Sequence, residues 1–281
     1  MVINGVFCSC EENKLVENFG SDYINYQNGV RRRLLIELTT NGPSMTTIDH
    51  LLLLAFAVLY PAYAFYAYRR IKPDLVANKP GIRVHDYRET IGWLWLFAIA
   101  VLAAWVYQDR SWPDLGLGMP LDWPAWVGLL VVAIVAGFMF LQLRKLAKNE
   151  EQRQELTEQL SDAPVSEFLP RTKNDMKWFV LLSVTAGITE EILFRGFLIW
   201  YFQQIGGIVL AVIFSSILFG LAHSYQGIQG GIRTGFIGLI LALGYIFSGS
   251  LLPVIFFHIA GDIYSGRLGR LAFGGQDSAG D

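Results

Sequence analysis

Cysteine is almost absent: Cys8 and Cys10 are the only two in 281 residues. A pair separated by one residue lacks the ligand number and spacing of a zinc motif, so these read as incidental thiols. Charge is scarce as well. Asp, Glu, Lys and Arg make up 16% of the chain, where a soluble domain carries about 25%. The net charge of -2 provides no basic field for nucleic acid, which is excluded as a partner. No secretory signal peptide stands at the N-terminus, because the first apolar run is followed by more of them and so reads as an anchor. What remains is 53% hydrophobic and 14% aromatic, with a mean hydropathy of +0.39. That balance predicts an integral, multi-pass membrane protein with the lipid bilayer as its principal surroundings.

A spanning helix needs about 20 mainly apolar residues. Seven runs approach that length: Leu51–Ala67, Ile91–Tyr107, Trp123–Leu143, Trp178–Phe202, Ile208–Ala222, Ile232–Phe247 and Leu251–Tyr264. The expected fold is therefore an all-α transmembrane bundle with its site among the last four spans. Lys and Arg cluster in the loop from Tyr68 to Glu89 and again from Arg144 to Lys177, whereas residues 108–122 hold only Arg110. The positive-inside rule then puts the two basic segments in the cytoplasm. Arg31–Arg33 would fall outside, against that rule, which leads to the expectation that Met45 is the biological start and residues 1–44 a poorly structured extension. Residues 45–143 form three N-terminal spans. Residues 144–168 read as a charged cytoplasmic segment, a solvated helical continuation of the third span ended by Pro164. Residues 169–265 carry the site, and 266–281 form a tail.

The first three spans have no charge in their interiors, but the last four contain Glu190, Glu191, Arg195, His223, Arg233, His258 and Asp262. Insertion scales charge about 2.5–3.5 kcal/mol for each Asp, Lys or Arg at a helix centre, so such residues face a bundle interior and mark a site. Glu191 and Arg195 are four apart, as are Phe219 and His223, and His258 and Asp262. On a helix that spacing puts each pair on one face. Glu191 with Arg195 reads as a buried ion pair. Glu190, pointing about 100° away, is left without a partner, as suits a general base. Gly220, Gly231, Gly235 and Gly238 permit close helix approach. His50 and His85, at a span start and in a basic loop, receive no role. Counted from the cytoplasmic side at about 1.5 Å per residue, Glu190 lies deep and His223 shallow, and the two meet only if the long fourth helix tilts or breaks.

"EEILFR", "FGLAH" and "HIAGD", in that order on separate spans, resemble the three motifs of the CAAX-protease and bacteriocin-processing family of intramembrane proteases (CPBP or ABI), in its bacterial branch. That family includes the type II CAAX prenyl endopeptidases. The resemblance runs from about Leu169 to Asp262. It implies a glutamate-type endopeptidase of a bacterial plasma membrane acting on a protein or peptide substrate, membrane-anchored or not. Glu190 would activate water with help from His223. His258 and the residue four beyond it would stabilise the oxyanion, a role worth on the order of 2.7–4 kcal/mol per donor. Glu191, Arg195 and Phe219 would support them. Asp262 stands where the prenyl-processing enzymes carry Asn, and a carboxylate donates only when protonated, which counts against a prenylated substrate. No cofactor is expected. The alternative is zinc held by Glu190, His223 and His258, since two His and one Glu form a known ligand set. A non-proteolytic scaffold or immunity protein of the same fold is the rival reading. A transporter is a third, but the repeated halves it would show are not found.

Overall fold

The computed structural model describes residues 45–119, 121–161 and 163–274, so Cys8, Cys10, Arg31–Arg33 and the rest of the extension expected before a start at Met45 lie outside the described residues. The described chain is all α-helical, with short 3-10 and π turns and no β-strand among the described residues. We number its helices α1 (Thr47–Val76), α2 (Ile82–Tyr107), α3 (Trp123–Leu146), α4 (Glu150–Ser161), α5 (Lys173–Ala222), α6 (Gly227–Ser248) and α7 (Leu251–Phe273). By length and composition α1, α2, α3, α5 and α6 are able to cross a membrane. α5, at 50 residues, holds both the fourth and fifth apolar runs. α7 has 23 residues but is too polar to qualify by composition, because it carries part of the site.

The break in α5 falls at "IGG". Gly206 leaves helical geometry and Gly207 adopts φ +77°, a conformation open to glycine without steric cost. The chain doubles back there, and two arms, 173–205 and 208–222, run past each other. Glu190 lies 16 residues before Gly206 and His223 lies 16 residues after Gly207. Equal arms bring them to equal depth, about 24 Å from the bend at 1.5 Å per residue. Counting from the bend rather than from the cytoplasm removes the mismatch in depth that the sequence presents.

α1 contains a π turn at Ala55–Leu59 followed by Pro61, whose nitrogen has no proton to give to the turn before it. A second π turn, Glu191–Leu198, begins within the "EE" pair of α5. The two meet: Phe56 packs edge-on against Phe194 and Phe197, with ring centroids 6.1 and 5.8 Å apart. At the start of α1, Arg110 donates to both oxygens of Asp49, at 2.8 and 2.6 Å, with its guanidinium 4.0 Å from the Trp200 ring centroid. This buried clasp joins the start of α1 to the chain after α2. The one Lys or Arg of residues 108–122 is thus a structural residue. His50 Nδ1 pairs with Tyr201 Oη at 2.7 Å beside it.

α4 corrects the expectation of a continuous extension of the third span. The helix stops at Leu146, Asn149 Oδ1 accepts from Gln152 N at 3.1 Å, and a new helix starts. Its Thr157 Oγ1 donates to Ala272 O at 3.1 Å, so α4 docks on the end of α7. α7 itself runs nine residues past Tyr264, and the boundary drawn at 265 falls within it.

The second arm of α5 packs on α6 through glycine. A Cβ at Gly220 would lie 2.7 Å from Gly231 O and 3.0 Å from Gly235 Cα, both immovable backbone atoms. Gly220→Ala is expected to force the helices apart and cost about 1–3 kcal/mol. Because His223 is one turn beyond, it should also lower activity more than its loss of stability explains. Thermal unfolding and cleavage rate measured on one preparation check this.

Candidate active site

The first arm of α5 carries Glu190, Glu191 and Arg195, the second ends on His223, and α7 supplies His258 and Asp262. Glu190, His223, His258 and Asp262 line one cavity of about 1230 Å³, whose walls also include Tyr60 and Trp93 of the first two helices. The structure thus brings together the ionisable residues that the sequence places on three separate faces.

Glu191 and Arg195 lie behind the cavity wall with no side-chain exposure. Arg195 Nη1 donates to Glu191 Oε1 at 2.9 Å, and Nη2 donates to Gly238 O at 3.1 Å. Phe219 stacks beneath the guanidinium, its centroid 4.2 Å from Cζ, and touches both imidazoles, at 4.7 Å from His223 and 6.0 Å from His258. One arginine therefore ties α5 to α6 and rests on the ring that sets both histidines.

Each histidine is held by its inner nitrogen. His223 Nδ1 lies 2.8 Å from Phe219 O, and a carbonyl only accepts, so Nδ1 carries a proton and the ring in its neutral form presents a bare Nε2. His258 Nδ1 lies 2.7 Å from Glu191 Oε1, an oxygen that Arg195 also engages. This contact, across 67 residues, has no local signature in the sequence. Fixing Nδ1 to a carbonyl or carboxylate defines which nitrogen is left for chemistry.

Both Nε2 atoms face Glu190. Its Oε2 lies 4.0 Å from His223 Nε2 and 3.9 Å from His258 Nε2. It is buried and makes no hydrogen bond within the protein. Asp262 Oδ2 stands 3.7 Å from His258 Nε2. The site is thus a carboxylate without a hydrogen bond from the protein, facing two oriented imidazoles in a largely apolar cavity. Among the described residues, no group of three or more His, Cys, Asp or Glu side chains is arranged to hold a metal ion.

Sequence reasoning missed two groups of cavity residues. Asp86 and Glu89 face the cavity from the end of α2, although by position they read as loop charge. Tyr60 and Tyr225 place aromatic walls there, although in sequence nothing separates them from other membrane aromatics.

Residues 172–264, 93 of the 281, match the family model described as type II CAAX prenyl endopeptidase Rce1-like. The matched segment begins at the N-cap of α5 and ends inside α7, so it contains Glu190, Glu191, Arg195, Phe219, His223, His258 and Asp262 but not the cavity residues of α1 and α2. No curated protein and no solved structure matches the chain.

Proposed function

We propose, from the match of the site-bearing segment to a CAAX prenyl endopeptidase family and from the geometry of Glu190, that this chain is a glutamate-type intramembrane endopeptidase of a bacterial plasma membrane. The observation that carries the reading is the separation of Glu190 Oε2 from the two Nε2 atoms, 4.0 and 3.9 Å. These distances are too long for hydrogen bonds, but two bonds of about 2.8 Å to one shared water span about 4 Å when they meet near a right angle.

In the proposed reaction Glu190 takes a proton from that water as the oxygen attacks the peptide carbonyl. His223 Nε2 accepts a hydrogen bond from the same water and fixes its direction. His258 donates to the oxyanion from Nε2, which requires the doubly protonated ring. Glu191 at 2.7 Å, Asp262 at 3.7 Å and Glu190 at 3.9 Å neutralise the charge of that form. Asp262 then acts as the counter-charge that orients His258, a role open to an ionised carboxylate, which cannot donate. Glu190 returns its proton to the leaving amine. Low dielectric around fixed donors is where such stabilisation is largest.

Quantitative profiling of protein termini tests the function. Membranes carrying the wild-type chain should contain new termini that are missing with Glu190→Ala at matched expression. Identical profiles, with both proteins folded and inserted, would favour the non-proteolytic scaffold or immunity reading. Metal chelation is expected to leave the wild-type profile unchanged. Its loss on chelation and return with zinc would replace the water-and-carboxylate mechanism with a zinc one.

A further inference from the structure

The cavity is acidic beyond what the chemistry requires. Four carboxylates line it, Asp86, Glu89, Glu190 and Asp262, against one guanidinium, that of Arg233. Two of them have assigned partners: Asp262 stands by His258, and Glu89 accepts from Tyr63 Oη at 2.9 Å with His85 3.9 Å away. Asp86 is different. It is half-buried in α2, and its electrostatic neighbours are Glu89, which repels it, and His85. Among the described residues it accepts no hydrogen bond and forms no ion pair. A carboxylate taken partly out of water without a partner is costly, and the cost is recovered if a ligand brings the partner.

The surroundings describe that ligand. Tyr60, Tyr63 and Trp93 line the cavity on the same side, with ring centroids 5.8 Å apart for Tyr60–Trp93 and 5.6 Å for Tyr63–Trp93. Aromatic faces beside a carboxylate suit the aliphatic stem and cationic head of Lys or Arg. Tyr60 and Tyr225 line the same cavity as Asp86 and Glu190, so the rim carboxylate and the reacting carboxylate belong to one space. A substrate presenting a free carboxylate would meet four carboxyl groups there against the Arg233 guanidinium and the His258 imidazolium, between low-dielectric walls that focus the field.

We infer that this cavity takes an apolar substrate segment bearing a Lys or Arg side chain a few residues from the scissile bond, and that Asp86 is the residue that selects it. This rests on the endopeptidase reading above. Asp86 touches the substrate away from the reacting atoms and is a specificity residue.

The test compares termini from membranes carrying the wild-type chain, Glu190→Ala, Asp86→Asn and Asp86→Lys. Glu190-dependent cuts in the wild type should be enriched in Lys or Arg on one side of the cut, a result that needs no altered cavity. Asp86→Asn should lower cutting at those sites about tenfold relative to sites without a basic residue, the scale of one close charge pair at an interface. Asp86→Lys should turn the preference towards Asp and Glu. Glu190-dependent cuts with no basic enrichment would overturn the inference and leave the protease standing. So would an Asp86→Lys profile identical to the wild type. No Glu190-dependent cut at all would overturn both.

Discussion

Glu190→Gln is expected to lower the rate of peptide-bond cleavage by about 10²–10⁴-fold, the usual contribution of a positioned general base. The amide keeps the shape of the side chain but cannot take a proton from water. The same substitution should leave stability unchanged or slightly higher. Glu190 Oε2 is buried and unbonded within the protein, so neutralising it breaks no hydrogen bond and removes a charge from a dry place, while Glu191 and Asp262 remain as counter-charges to His258. Activity and stability therefore part company at this position. Cleavage rate and thermal unfolding in the same detergent check both halves. A variant that loses activity only in proportion to folded protein would remove Glu190 from the chemistry.

Glu191→Ala and Arg195→Ala should show the opposite pattern, each costing about 3–5 kcal/mol of stability because each leaves a buried charge without its partner. Both side chains have 0% exposure, and water cannot compensate. Glu191→Ala also frees His258 Nδ1, so whatever folds should be impaired in catalysis. Arg195→Ala further removes the donor to Gly238 O and the cation above Phe219. The double substitution Glu191→Leu with Arg195→Met, which takes both charges away, should be more stable than either single variant. Unfolding of the four proteins under one condition decides it. Single variants that cost no more than the double would show that His258 and Gly238 O, which also engage the pair, compensate the charge left behind.

These contrasts mark what the sequence makes legible. The all-α bundle follows from apolar runs of spanning length, and the bend at Gly206–Gly207 coincides with the loop between the fourth and fifth runs. The i, i+4 pairs are readable because a helix carries its own ruler. The relation between helices is not. That Glu191 serves His258 as well as Arg195 depends on a contact across 67 residues, and that Arg110 closes on Asp49 depends on one across 61. Neither has a periodic trace. Helices also continue beyond their apolar runs. α2 starts nine residues before Ile91, which turns Asp86 and Glu89 from loop charges into cavity walls. The stop at Leu146 that separates α4 from α3 has a local signal in Asn149, whose side chain caps α4, but the docking of α4 on α7 through Thr157 has none.

The most direct test of the account uses purified chain in lipid vesicles and a peptide spanning one Glu190-dependent cut. Cleavage in that mixture cannot be assigned to another protease acting downstream in the cell. The account predicts that the wild-type chain cuts the peptide at the same bond as in membranes, and that Glu190→Gln, folded to the same extent, cuts it at least about 100-fold more slowly. Equal rates for the two proteins, or no cutting by the wild type, would contradict it.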